Sequence, residues 1–528
     1  MTKFVRRTVH DLPLIGLAIL GSAWAGSATA QTAVANNERS ADVMVIGGRQ
    51  QRVPPADPQV PPAEAVQPRE VANPAIRPYP ADADGIGIKR GGYNGSRWAE
   101  DWRLMADPKK RNDPLDRLKY LPFNDAGDIY LTLSGEVRLR SNYIGNPGIV
   151  ESEHRREDML RLIGGADLHL GDHLRFYGEL GHGGISGHNI GTPSAKARND
   201  LILQQAFGEF SGRLDNVDLG VRYGRQEFTD GPPLLVGALD NNTIRTSLDG
   251  FRGWAMGSRV RFDVFDFEYI RFGPHGISDD KSNDATRFSG VTMGIMLPKV
   301  MEGQLFFDPF VWRERLDAET WAGVTAREER LYTGARLWGD MGPVNIDWTI
   351  DHQSGSFGNR DIDAWNFFLA QTYDLGLGGM KPEVGIHFDY GSGGGTYEGG
   401  TLKTAATPVG GNIEYSYQGA LTITNLFMVA PNVTVTPVKD VKLTLAYNKI
   451  WRANSQDAVY RANGKPYAGT QNLSGSDIGQ AFRAQASWKI SPRLSITGRY
   501  EYFAAGDLLT RLNYTDSNYV ALWTSFRF

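Results

Sequence analysis

The sequence predicts an all-β transmembrane antiparallel β-barrel of about 18 strands, behind a disordered Pro-rich N-terminal tail. Three observations carry this. Residues 128–528 run in segments of about ten residues with alternating polarity, separated by Gly, Asp, Asn and Pro, as barrel strands do. No apolar run after residue 30 reaches the roughly eighteen residues of a membrane helix. The first residues read as an export leader, so the strands meet a compartment where a closed barrel can satisfy every backbone group inside lipid.

The leader covers residues 1–30. Lys3, Arg6 and Arg7 precede an apolar stretch from Leu12 to Ala25, and Ala28-Thr29-Ala30 stands before Gln31, a secretory signal with a small-residue cleavage site. Losing its three cations and Asp11 takes the net charge from −4 to −6. That mild acidity is unlike a nucleic-acid binder. The chain has no cysteine, which excludes disulfides and thiolate metal sites; no cofactor or metal is expected.

Residues 31–127 read as a periplasmic tail. Pro54-Pro55, Pro61-Pro62, Pro74, Pro78 and Pro80 punctuate it without periodicity, as in extended or disordered segments. Within it, residues 96–105 predict a short helix capped by Ser96, a lead-in that docks near the barrel mouth. Residues 41–49, Ala-Asp-Val-Met-Val-Ile-Gly-Gly-Arg, resemble the energy-coupling box of TonB-dependent transporters, which adds a strand to a periplasmic protein; an apolar patch in a tail is the plainer reading.

The barrel occupies residues 128–528. Its first strand puts Ile129, Leu131, Leu133, Val137 and Leu139 on one face and Thr132, Ser134, Glu136, Arg138 and Arg140 on the other, a period of two that no helix has. The last alternates Val520, Leu522, Thr524, Phe526 and Phe528 with Tyr519, Trp523, Ser525 and Arg527. Sixteen further strands begin near Leu160, Leu174, Leu203, Val217, Phe251, Arg261, Arg287, Gln304, Arg330, Val344, Asp361, Pro382, Asn425, Val441, Asp477 and Leu494. Short turns such as 170–173 and 491–493 belong on the periplasmic side. Residues 181–200, 391–424 and 453–476 are the expected outer loops.

Five motifs in order resemble the alginate export porins of Gram-negative bacteria: Arg222-Tyr223-Gly224-Arg225-Gln226, Asp389-Tyr390-Gly391-Ser392-Gly393-Gly394-Gly395, Tyr447-Asn448-Lys449-Ile450-Trp451-Arg452, Asp477-Ile478-Gly479-Gln480, and Gly506-Asp507 before a final strand ending in Arg-Phe. The resemblance implies an eighteen-stranded, monomeric outer-membrane pore whose arginines pass a linear polyuronate out of the periplasm, alongside export machinery there. It places Arg161, Arg225 and Gln226 in the pore. Where it implies arginines on the fourth strand and beside Gly-Arg-Gln, this chain has Gln205 and Glu227, and on the penultimate strand Thr497, with Arg499 two residues on. The alternative is a substrate-selective uptake porin for small solutes, possibly energy-coupled through the tail.

Alternation alone assigns luminal cations (Arg138, Arg140, Arg161, Arg175, Arg222, Arg336, Lys442, Arg483, Arg499) and a similar number of luminal acids (Glu136, Asp167, Glu179, Glu209, Asp218, Asp347, Glu383, Asp389, Glu501). Guanidinium suits a polyuronate because it stays charged and pairs bidentately with carboxylate. The first five strands and their loops, with Arg161, Arg175, Arg222, Arg225, Arg245 and Arg252, form the expected cationic stripe; Arg452 and Arg483 join the candidates. Mixed charge also fits structural ion pairs across a wet wall. No enzyme is expected, for neither His-Glu-x-x-His nor Gly-x-Ser-x-Gly occurs. The oxygens of the loop 278–284 could hold calcium, but a solvated loop tip is the simpler reading.

Overall fold

The computed structural model describes residues 89–190 and 196–528; the leader, the Pro-rich stretch to residue 88 and the 41–49 segment lie outside the described residues. Eighteen strands form the wall: β1 (Ile129–Gly145), β2 (Arg155–Leu170), β3 (Leu174–Ser186), β4 (Asn199–Leu214), β5 (Val217–Gln226), β6 (Leu248–Met256), β7 (Val260–Arg271), β8 (Lys281–Met296), β9 (Leu305–Trp321), β10 (Val324–Met341), β11 (Val344–Phe357), β12 (Arg360–Asp374), β13 (Glu383–Gly391), β14 (Leu426–Val438), β15 (Val441–Arg452), β16 (Asp477–Lys489), β17 (Leu494–Ala505) and β18 (Ser517–Arg527). Each pairs antiparallel with the next, and β18 returns to β1 to close the barrel. The sheet has no free edge in the membrane.

Side chains obey the period of two. On β1, Val137, Leu139 and Tyr143 face outward and are exposed, while Glu136 and Asn142 are buried inside. The same apolar face continues through Phe176, Val221, Val291, Val311, Ile350, Leu445 and Leu522. At the seam, Gly135 and Phe528 exchange backbone hydrogen bonds of 2.9 and 3.1 Å. The Phe528 ring lies where a Cβ on residue 135 would stand, within 2.3 Å, so a side chain there would have to displace that ring.

The expected strand starts at Leu174, Val217, Val344, Val441, Asp477 and Leu494 coincide with the observed ones. Those at Leu160, Arg287 and Arg330 fall inside strands that begin five to six residues earlier, because charged outward positions beyond the apolar belt hide the strand ends. For the same reason the ends of the segment 181–200 belong to strands, and the connection between β3 and β4 is residues 187–198. The connection 227–247, not singled out above, proves to be a major loop on the same side as 392–425 and 453–476.

Two of these loops fold into the barrel rather than over it. Val236 bridges Val409 in parallel, and Gly237 and Gly411 donate to Val409 and Pro233 carbonyls at 3.1 and 2.9 Å. Phe228, Leu235, Val236, Val409, Tyr415 and Leu421 bury themselves against Phe265, Phe267, Phe288, Phe310, Trp312 and Tyr332 of β7–β10. An apolar core inside a barrel marks the side that is filled and dry.

The predicted helix at 96–105 is not one element. It divides into 3-10 turns at Arg97–Ala99 and Arg103–Ala106, split by Glu100–Asp101, which pairs in parallel with Lys89–Arg90. The Ser96 hydroxyl makes no cap bond. Further 3-10 turns follow at Pro108–Lys110 and Pro114–Lys119, the second closed by a capping box between Asp113 and Asp116. This segment does more than dock at the mouth. Trp98 packs inside on Tyr177 and Phe207, and Trp102, Met105 and Tyr120 pack on Tyr130.

Candidate conduction site

Across from β7–β10, the wall of β16–β18 with β1 and β2 gathers basic groups, while the apolar cluster reaches only Ile478, Ala481 and Phe503 there. Register brings its basic groups together: Arg138 stands opposite Arg161, Arg140 opposite Trp523 and Arg483 opposite Glu501. Guanidiniums and rings then alternate along the wall. Arg140 lies over Trp523 at 4.9 Å, Arg499 over Trp523 at 4.9 Å and over Tyr417 at 4.7 Å, and Arg483 over Tyr417 at 3.9 Å. Each such contact contributes about 0.5–2 kcal/mol and fixes the plane of the guanidinium. Tyr417 comes from the inward loop 392–425, held by Glu501, whose carboxylate accepts from the Tyr417 backbone N–H at 2.7 Å and the Ser416 hydroxyl at 2.8 Å.

The tip of the second loop completes the wall. Asp240 pairs with Arg138 and Arg161, each at 2.8 Å. Burial within the lumen works against its charge, but Arg161, Arg138 and Arg245 outweigh it and hold the carboxyl well below the usual carboxylate range, although half of the side chain stays open. Asn241 joins the two remaining arginines: its carbonyl accepts from Arg140 Nη1 at 2.7 Å and its side-chain oxygen from Arg499 Nη1 at 2.8 Å. Arg140 otherwise bonds Asn142 and Tyr519, and Arg499 bonds Gln485. All these partners are neutral. Among the described residues neither cation has a carboxylate within ion-pair distance, whereas Arg138, Arg161 and Arg483 each have two.

Toward the periplasmic turns the N-terminal segment packs inside β1–β5. Arg97 bonds Glu136 at 2.8 Å and Glu179 at 2.7 and 3.1 Å. Arg222 pairs with Glu209 at 2.5 Å and covers the Trp98 ring at 4.0 Å. Arg175 pairs with Asp167 at 2.7 Å and donates to the Trp98 carbonyl. Arg245 reaches the Gly95 carbonyl at 2.8 Å and Glu227 at 3.0 Å. Arg527 and Arg493 fasten the segment through Glu100 at 2.9 Å and Asp116 at 2.5 Å. Arg175 and Arg222 are therefore luminal, as alternation implied, but already neutralised.

The other expected site residues separate. Arg252 is luminal and bound to Asp263 at 2.7 Å, within the filled half beside Phe228 at 5.5 Å. Gln226 is buried, donating to the Gly224 and Gly250 carbonyls. Arg225 sits on the outward face with Val221 and Tyr223, bonded to Asp249 at 2.9 and 3.0 Å, because adjacent residues of a strand face opposite ways. Arg452 donates to the carbonyls of Asp457, Thr470, Leu473 and Gly475; it pins the outer loop and lines nothing. Arg336 and Lys442 pair with Asp347 and Glu383. In the 278–284 loop, Asp279 caps its own turn and one Asp280 oxygen accepts from Asn199 of β4. The sequence reading missed Arg97, Asp240, Asn241 and Tyr417; Trp523 carried a signal, standing on the inward face of the last strand.

Glu227 gives this region a pH dependence. Burial pushes its carboxyl up to about 7, Glu179 adding to the effect despite Arg245, and among the described residues neither oxygen accepts a well-directed hydrogen bond. A raised carboxyl is neutral below its pKa and charged above. Preference for anions should thus fall as pH rises through about 7, and Glu227→Gln should flatten that profile. Reversal potentials between pH 6 and 8 check this; an unchanged slope in the variant refutes it.

An eighteen-stranded barrel, apolar outside, charged within and narrowed by its own inward loops, is an outer-membrane channel. The chain belongs to the alginate export family, whose profile matches residues 129–522. Its fold is similar to that of Acinetobacter baumannii OccAB1 (12% identity, TM-score 0.50, covering 75% of this chain and 96% of that one). Pseudomonas aeruginosa OccK5 (12%, 0.49, 75% and 97%) and a BenF-like porin from Pseudomonas fluorescens Pf-5 (12%, 0.49, 75% and 99%) are also similar. No curated protein matches the chain.

Proposed function

We propose that the channel carries an anionic polysaccharide, an alginate-like polyuronate, out of the periplasm along the arginine wall, conducting rather than catalysing. The observation that carries this is the Arg140 and Arg499 pair, two guanidiniums stacked on one indole with only neutral partners. Each can take a sugar carboxylate without first losing an acid of the protein. Arg138, partly open but shared by two acids, holds the next carboxylate more weakly, and buried Arg161 and Arg483 add positive charge behind the wall, so a chain moves on without being trapped. Supply from periplasmic export machinery fits this reading.

The filling of one side by loops and of the lower wall by the N-terminal segment favours the alternative, selective uptake of small solutes. Single-channel recording separates them. Oligouronates added to the bath should interrupt the ion current, with blocks that lengthen as the oligomer grows from one to several residues, because more arginines are engaged at once. Equal block by monomer and oligomer favours the small-solute reading; no block by either removes the polyuronate.

A further inference from the structure

We propose that Arg97, delivered by the N-terminal segment from outside the barrel wall, is a specificity-determining residue that sets the anion preference of the passage. This rests on the reading of the channel as one for anions. Three carboxylates share one neighbourhood: Glu136 of β1, Glu179 of β3 and Glu227 just after β5, all nearly inaccessible to solvent. Gln205 connects them, donating weakly to Glu179 at 3.4 Å while accepting from the Glu227 backbone N–H at 3.1 Å. Left to itself, this patch is an acidic collar below the arginine wall, where an incoming anion would be repelled.

Four cations offset it; Arg138 and Arg161 come from the strands and meet only Glu136, and the other two belong to no barrel strand. Arg245 of the inward loop covers Glu227. Arg97 spans the other two, with Nε and Nη2 on Glu179 and Nη1 on Glu136, and is itself 4% exposed. Its effect reaches the conduction wall through Glu136, which also accepts from Arg161 at 2.8 Å and lies 3.1 Å from Arg138. With Arg97 present, Glu136 divides its charge among three guanidiniums; without it, Glu136 draws on Arg161 and Arg138 alone and weakens both as sites for an outside carboxylate. The segment is held over this spot by contacts that do not involve Arg97: Trp98 under Arg222, Gly95 on Arg245, Glu100 on Arg527 and Asp116 on Arg493. Position 97 can therefore change charge while its backbone stays in place.

The test is reversal potential in a potassium chloride gradient, at a pH above the range in which carboxyls titrate, for purified full-length protein and three variants. Wild type should prefer chloride; preference for potassium would count against the anion-channel reading, separately from Arg97. Arg97→Gln should lower the chloride-to-potassium permeability ratio by about twofold or more. Glu179→Gln alone should raise it, and Arg97→Gln with Glu179→Gln should restore the wild-type ratio, since a compensating loss of charge repairs an electrostatic effect but not a packing defect. The inference is overturned if Arg97→Gln leaves the ratio unchanged, or if the double variant stays as low as the single one. Where Arg97→Gln assembles poorly, the upward shift in Glu179→Gln decides alone, and its absence is equally fatal.

Discussion

Arg140→Glu combined with Arg499→Glu should turn an anion-preferring pore into a cation-preferring one. The double change alters the luminal charge by four units at the point where the native cations have only neutral partners. Fixed charges in a narrow passage set potentials of several kT, enough to exclude one sign of ion. The shift should shrink at 1 M salt, where the screening length is roughly 3 Å. Arg140→Lys with Arg499→Lys separates charge from shape. It should keep the ion preference but shorten oligouronate blocks, because an ammonium neither stacks on Trp523 as guanidinium does nor grips a carboxylate with two parallel bonds. A charge-reversed pore that still prefers anions would move the selectivity filter off this wall.

Glu501→Ala should raise single-channel conductance about twofold and make it noisy, by freeing the segment that carries Tyr417. Glu501 is fully buried on β17 and gathers the Tyr417 N–H, the Ser416 hydroxyl and Arg483 at 3.5 Å. Removing one member of such a buried charged network costs on the order of 3 kcal/mol, most of it from the partners left behind. Strand pairing does not depend on this group, so the loss should fall on the loop. Tyr417 then leaves its place between Arg483 and Arg499, and the wall loses one of its two rings. Glu501→Gln, which keeps an acceptor but no charge, should lie between. A steady, wild-type current in Glu501→Ala would show that the loop is held by its apolar packing on β7–β10 alone.

The wall of this barrel was legible because its code is local. A period of two against lipid fixes which side chains enter the lumen, and Arg138, Arg140, Arg161, Arg483 and Arg499 are where alternation put them. Arg225 shows the same rule overriding a motif: Gly-Arg-Gln reads as one unit in sequence, yet consecutive residues cannot share a face. What alternation could not show is which arginines are spent. Arg222, paired with Glu209 across the strands, is also covered by Trp98, more than a hundred residues away in sequence, and whether Arg452 lines a pore depends on four carbonyls of the loop that follows it. The inward loops had no period to find, being built from Pro, Gly and scattered apolar residues that acquire meaning only against each other. Arg97 was hidden most completely. Its segment has the texture of a linker, and its ligands come from two non-adjacent strands. Gln205 and Glu227, the two positions where the resemblance implied arginine, were visible as departures; that Arg245 compensates Glu227, and that Arg97 stands beside Glu179, was not.

The loops that fill one side of the barrel also constrain how a long molecule can travel through it. Guanidiniums with only neutral partners stand on a single wall, and the facing surface offers packed apolar side chains and arginines already paired with acids, such as Arg252 with Asp263. A threaded polyanion cannot spin freely about its own axis, since turning lifts its charged edge from the guanidiniums. Advance and rotation become coupled. A polymer whose carboxylates lie along one edge can glide straight through, whereas one whose carboxylates wind around its axis must revolve as it goes, as a screw does in a half-cut nut.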